Sequence, residues 1–351
     1  MRSAIAEKYI EGGRRPLRIV ILRFFSFLVA ITMVSYTTHA GEFKTAKYAG
    51  EFLNLGVGGR ALGMGSAYSA LARDVSATYW NPAGLVNIDY PQIMLMHTEQ
   101  FAGVVKYDFG SFAIPYGPYR SLGLSLIRLG VDDIPKTKLK NPADTLSATN
   151  RPYKAGFFSD AEYALFLSYA VKRSSKLSFG GNVKILHKGI GSHSAWGLGF
   201  DVAALYNPWR DLNIGLNLQD FTTTVLAWDT GRREMIVPTL KAGVTYPLSM
   251  PIVGGFMSPA VDLEIHFEGR DYSAQLAAGP ASFDTHLGWE YQHELLALRF
   301  GSDVGHFTVG AGIGLPKLQI DYAFLSHGDL GDTHRISARL VIEEAKYRRS
   351  R

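Results

Sequence analysis

The chain reads as an all-β protein: a transmembrane antiparallel β-barrel of about 14 strands with an N-terminal hatch or plug that contains short helices. Three observations predict it. From about Pro91 to Glu344, apolar side chains recur at every second position, the period of a strand with two different faces. Clusters of Gly, Pro, Asn, Asp and Ser punctuate these segments as turns would. The second face is rich in glycine and carries scattered charges, an unusual exterior for a soluble sandwich and a natural lining for a barrel.

The alternation is plainest at Leu122, Leu124 and Leu126; at Tyr163, Leu165, Leu167 and Tyr169; at Trp196, Leu198, Phe200 and Val202; and at Val261, Leu263 and Ile265. It returns at Leu287, Trp289 and Tyr291, at Phe307, Val309 and Ala311, at Ile320, Tyr322 and Phe324, and at Ile336, Ala338 and Leu340. Strands are expected to begin near residues 91, 103, 119, 158, 175, 192, 210, 236, 254, 282, 293, 305, 317 and 333. Phe179, Tyr206, Tyr246, Trp289 and Tyr291 fall near strand ends, where aromatic rings form girdles at a lipid–water boundary. The opposite face supplies the candidate luminal polar residues Lys184, Asp201, Lys241, Asp262, Glu264, Glu290, Arg299, Asp321 and Arg339. Closure removes the exposed strand edges that lipid cannot satisfy. Residues 131–157 and 220–235 are expected to be long loops, the former the best candidate for an external recognition surface.

Ahead of the strands, residues 1–40 read as a signal peptide. Arg2, Lys8, Arg14, Arg15 and Arg18 precede the apolar run Phe24 to Val34, which is too short to span a bilayer as a helix, and a cleavage site follows at Ala40. An uncleaved anchor is the alternative. The net charge of +5 belongs mostly to this leader, so the remainder is nearly neutral and a phosphate-binding surface for nucleic acid is excluded. With Cys at 0, disulfides, thiolate metal sites and cysteine nucleophiles are excluded as well.

Residues 41–90 form the expected hatch, 91–344 the barrel and 345–351 a charged tail. Within the hatch, Gly56 to Gly65 is glycine-dense, Ser66 to Arg73 could form a short helix with Ser66 near its N-cap, and Asn81-Pro82-Ala83-Gly84 is a turn. The glycines have neither the spacing nor the Lys-Ser/Thr ending of a phosphate loop, so tight packing is the better reading. Arg60 could pair with a luminal carboxylate. Asp262 and Glu264 share a face at strand spacing, without the neighbouring groups that acid–base catalysis needs. The histidines lack metal-ligand spacing and no nucleophile elbow occurs, so no enzyme, cofactor or metal is expected.

The blocks Gly58-Gly59-Arg60-Ala61-Leu62-Gly63-Met64-Gly65 and Ala77-Thr78-Tyr79-Trp80-Asn81-Pro82-Ala83-Gly84-Leu85 resemble the PorV/PorQ family of outer-membrane proteins, grouped with the FadL-like barrels. Weaker echoes are His97-Thr98, Asp321-Tyr322-Ala323 and His334-Arg335-Ile336-Ser337. The charged end, Glu343 to Arg351, departs from the terminal aromatic common in such barrels. The resemblance implies a bacterial outer-membrane barrel taking part in type IX-like protein secretion or surface delivery, with secretion-system proteins or exported cargo as partners besides membrane lipid. The alternatives are a FadL-like transporter of hydrophobic small molecules and a structural envelope barrel.

Overall fold

The computed structural model describes residues 49–349 except 102, 210, 269, 271–273, 329 and 330, so the expected signal peptide lies outside the described residues. The strands form one antiparallel sheet whose first and last members pair, Gln92 opposite Val341 through Glu99 opposite His334, and this closes the barrel.

Fourteen staves make the wall. They are β1 (Gln92–Gln100), β2 (Val105–Tyr116), β3 (Arg120–Leu139), β4 (Pro152–Lys172), β5 (Leu177–Ile190) and β6 (His193–Tyr206). Next come β7 (Asn213–Gln219 continued by Thr224–Trp228), β8 (Arg233–Ile236 continued by Thr239–Thr245), β9 (Phe256–His266), β10 (Ala281–His293) and β11 (Leu296–Asp303). The wall ends with β12 (His306–Gly314), β13 (Leu318–Leu325) and β14 (Thr333–Val341). Both segments of β7 pair with β6, and the two segments of β8 pair with those of β7, so each pair acts as one stave.

Side-chain burial gives the orientation. On β1 every second residue is buried, and on β11 Leu296, Leu298 and Phe300 are exposed while Ala297 and Arg299 are buried. Across the wall the solvent-accessible face is the apolar one, with Leu122, Leu124, Leu126, Leu167, Val261, Leu298 and Ile336 all exposed. A closed sheet with an oily outside is a structure for lipid, because closure lets the strands satisfy their backbone amides within the wall. At the end where the chain enters β1, Tyr116, Tyr169, Phe179, Tyr206 and Tyr246 are exposed; at the opposite end Phe101, Phe157, Trp196, Phe267 and Phe307 are.

The expected loops at 131–157 and 220–235 are corrected in part. Strand β3 runs on to Leu139 and β4 starts at Pro152, so most of 131–157 is a projecting hairpin with its tip at 140–151. The register shifts between Val131 and Ile134 and again between Lys136 and Thr137, and such bulges admit Asp133 at φ 57° and Pro135 without ending the strand. Likewise Thr224–Trp228 pairs with Arg233–Ile236, so most of 220–235 is a hairpin. A long connection at 246–255 lies at the end of the barrel otherwise joined by short turns.

The segment before β1 fills the lumen. It contains a 3-10 turn (Glu51–Leu55), helices α1 (Gly59–Gly63) and α2 (Ala77–Trp80), and a second 3-10 turn (Pro82–Asn87). The helix expected from Ser66 is absent. Ser66 takes φ 62°, a left-handed conformation that an N-cap residue does not adopt, and the Tyr68 and Ser69 amides donate to Asp262 at 3.1 and 2.7 Å, which holds the segment on the wall as a turn. The charged tail forms a 3-10 turn (Ala345–Tyr347), after which Arg349 folds back and donates to the carbonyls of Ile88 and Arg120 at 2.8 Å.

Candidate functional site: the hatch and the lumen that grips it

Close approach of two backbones decides the geometry. Helix α1 lies against β11 to β14, and the turn at Pro82–Asn87 against β2 to β6. A Cβ on Gly59 would stand 2.7 Å from the Asp321 carbonyl oxygen, and one on Gly63 3.1 Å from the Gly310 Cα. From the wall side, a Cβ on Gly301 would stand 2.5 Å from the Gly65 amide nitrogen; Gly180, Gly215 and Gly288 likewise abut the backbones of Ala83, Ser69 and Met64. Glycine on both surfaces is what lets the hatch seat directly on the strands.

Polar side chains then fix the hatch in register. The Gly58 amide donates to Met96 Sδ and that of Gly59 to Ser337 Oγ. Asn81 Oδ1 accepts from the Ala83 amide, capping the turn that Pro82 opens, while its Nδ2 donates to the carbonyls of Ser69 and Ala204. Trp80 is buried, donates from Nε1 to Val57 O at 2.9 Å, and meets Tyr79 edge-on with centroids 5.0 Å apart. Ala61, Leu62, Met64 and Gly84 are also buried, so the sequence block carrying the family resemblance is the packed heart of the hatch.

Of the luminal candidates, all but Arg339 are nearly inaccessible, and most belong to three ion-paired groups. Arg60 of the hatch binds Glu290 at 2.6 Å, Glu290 binds Arg299 at 2.6 Å, and Arg299 reaches Asp321 at 2.9 Å. Lys184 lies between Asp201 and Asp220 at 2.8 and 2.7 Å. Lys241 pairs with Glu264 at 2.7 Å, and Glu264 also faces His266 at 3.1 Å. Asp262 holds the hatch amides already described. Arg339, partly exposed, stands 3.9 Å from Asp74 of the hatch. Burial opposes ionisation of Asp74, but Arg339, Arg60 and the hydrogen bonds from Ser76 outweigh it and hold the carboxyl below its ordinary range. These groups are bound to one another or to the hatch, which is why the lumen wall is not a solvated pore surface at this level.

Sequence reasoning missed several partners. Asn182 and Asn217 donate to the carbonyls of Thr78 and Trp80 at 3.0 Å, Ser121 to Leu85 O at 2.7 Å, and Arg335 to Leu55 O at 2.9 Å. Their signal was parity: Asn182 lies two residues from Lys184 and so shares its inward face. Also missed was the apolar half of the lumen. Met94, Met96, Tyr107, Phe109, Ile127, Phe166, Leu186 and Leu226 are buried on the inner face of β1 to β5 and β7, and cluster with hatch residues Leu53, Tyr79, Trp80 and Leu85. Beside Phe166, a void of about 30 Å³ bordered by Glu51, Tyr79, Lys184 and Ile236 has room for about one water.

A closed 14-stave barrel with its hatch formed by the segment before the first strand is an architecture with solved counterparts. This chain has the FadL-like barrel fold. Superposition on the Pseudomonas putida toluene transporter TodX gives a TM-score of 0.57 over 82% of this chain and 99% of that one, at 13% identity. A FadL homologue from Pseudomonas aeruginosa gives 0.53 over 81% and 98%, at 12% identity. No family model and no curated protein matches the sequence. The shared fold together with the apolar exterior places the chain in the bacterial outer membrane, with the projecting β3–β4 hairpin at the end opposite the short turns.

Proposed function

We propose that this protein is a hatch-gated conduit for hydrophobic small molecules across the outer membrane, and that it has no catalytic role. The observation that carries the reading is the division of the lumen. One inner wall, β1 to β5 and β7, bears the Met, aromatic and branched aliphatic side chains and a single buried lysine, Lys184, neutralised by Asp201 and Asp220, while most charged groups lie on β8 to β14, paired with one another or with the hatch. An apolar solute moving along the first wall avoids the cost of leaving polar groups unpaired, which it would incur along the second. The likeness to the toluene transporter and the FadL homologue supports the same reading. Gating follows from the burial of the hatch, which must shift before a solute larger than water can pass.

The test is uptake by liposomes holding the purified protein. A monoaromatic hydrocarbon and a sugar of similar size are offered in parallel, and entry of the hydrocarbon above the protein-free rate with exclusion of the sugar is expected. Equal entry of both, or of neither, overturns the reading.

The resemblance of residues 58–65 and 77–85 to PorV/PorQ proteins supports a second reading, in which the barrel serves type IX-like secretion and the hairpin at 131–157 meets exported cargo. Comparing secreted and surface-attached proteins of wild-type and deletion strains separates the two, and an unchanged profile rejects secretion.

A further inference from the structure

The geometry points to the projecting β3–β4 hairpin as a binding arm for the phosphate-bearing saccharide of the cell surface. Above the register pairs Val105–Val131 and Asp160–Ile190 the hairpin has no neighbouring strand, and at about 3.3 Å per residue its β3 edge extends roughly 25 Å beyond Val131. Beyond an acidic base at Asp132 and Asp133, it carries Lys136, Lys138, Lys140, Arg151 and Lys154 in the stretch from Lys136 to Lys154, where Asp144 is the one carboxylate. All five cations are exposed, and among the described residues Lys136, Lys138, Lys140 and Arg151 have no carboxylate within ion-pair distance. Since residues 41–351 are together nearly neutral, this concentration is local and not a general basicity.

Two further features make the arm a built surface. Tyr153 and Phe157 are exposed, Tyr153 directly opposite Lys138 across the hairpin, and the Lys154 ammonium sits 3.8 Å from the centre of the Phe157 ring. Flat rings alternating with ammonium groups suit a sugar chain that offers apolar C–H faces and phosphates in turn. The tip is also held in shape: buried Asn150 accepts from the Asn141 amide and donates to the carbonyls of Asn141, Asp144 and Thr145. With the short turns facing the periplasm, the arm stands on the cell-exterior side, where glycolipid headgroups surround it, and charge complementarity selects an anionic occupant.

This inference is independent of what crosses the lumen. Its test uses the full protein in phosphatidylcholine nanodiscs, titrated with vesicles bearing phosphorylated lipopolysaccharide, with the same glycolipid after phosphatase treatment, and with released lipid-free polysaccharide. The K136Q/K138Q/K140Q variant changes only exposed side chains, and an unchanged melting curve verifies its fold. Wild type should bind the phosphorylated vesicles at least about tenfold more tightly than the variant at low salt, and the difference should shrink at high salt. Competition by released polysaccharide identifies the glycan chain as the contact; binding to vesicles without such competition identifies the membrane-anchored headgroup. Equal binding by wild type and variant, equal binding after phosphate removal, or stronger competition by polyglutamate, which would mark a protein dock, overturns the inference.

Discussion

Replacing Gly59 by alanine sets two effects of opposite sign against each other. Inside a helix alanine is favoured over glycine by up to about 1 kcal/mol, and Gly59 opens α1. The added methyl would stand 2.7 Å from the Asp321 carbonyl oxygen and 3.0 Å from its carbon, backbone atoms that no rotamer can move aside. Overpacking of this kind costs about 1–3 kcal/mol. The net loss in hatch docking is therefore about 1–2 kcal/mol, or roughly 5- to 30-fold in the docked fraction. Graded controls exist at Gly63, where the nearest atom would be 3.1 Å away, and at outward-facing Gly110, where it would be 3.6 Å from Leu95 Cδ2. Hydrogen exchange of the α1 amides in detergent micelles reads the effect. Exchange should accelerate in the order Gly59→Ala, Gly63→Ala, Gly110→Ala, with strand amides of β12 unchanged. Equal protection in all three variants, or acceleration by Gly110→Ala alone, would refute the idea that backbone contact holds the hatch.

Glu290→Ala leaves the Arg60 and buried Arg299 guanidiniums without their shared carboxylate; an unfolding titration should show a loss of about 3–5 kcal/mol, larger than for Asp321→Ala, which leaves Arg299 its bond to Glu290. Asp74, held below its ordinary range, stabilises the docked hatch above about pH 4 and loses that contribution as the pH falls through its depressed folded value. Hatch amides of wild type should thus lose protection in acid, and Asp74→Asn should already lack that dependence at pH 6; an identical acid profile in the variant refutes it. Val261→Arg, on the outward face at the middle of β9, should destabilise the barrel in a bilayer by about 2–4 kcal/mol, whereas a neutral result would mean that this face does not meet lipid.

How much of this is visible in the sequence depends on whether the two faces of a strand differ. Expected starts at 175, 192, 293, 305, 317 and 333 lie within a few residues of Leu177, His193, Leu296, His306, Leu318 and Thr333, because there apolar and small or polar residues alternate. The early wall is less readable. Phe109 and Phe112 of β2, or Phe166 and Leu167 of β4, are apolar on both faces, so periodicity does not reveal the oily half of the lumen. Prolines 135 and 152 read as loop signals, yet one sits at a bulge and the other opens β4. In the hatch the glycines and the Asn81-Pro82 turn are legible as chemistry, but helix α1 is not. Its stability comes from wall atoms more than two hundred residues away in sequence, beyond the reach of local propensity.

The two grips on the hatch have a consequence for biogenesis. Pro82–Asn87 is clasped by β2 to β6, the strands that follow it closely in sequence, whereas α1 is clasped by β11 to β14, far from it in sequence. Contacts such as Gly59 to Ser337 thus close loops spanning most of the polypeptide, and topology of that kind assembles slowly. With glycine faces meeting at contact distance, there is no clearance for threading a finished hatch through a completed ring. The wall must close around it, and Arg349, bonding Ile88 and Arg120 from beyond the final strand, adds its bonds across the seam only once that strand is in place.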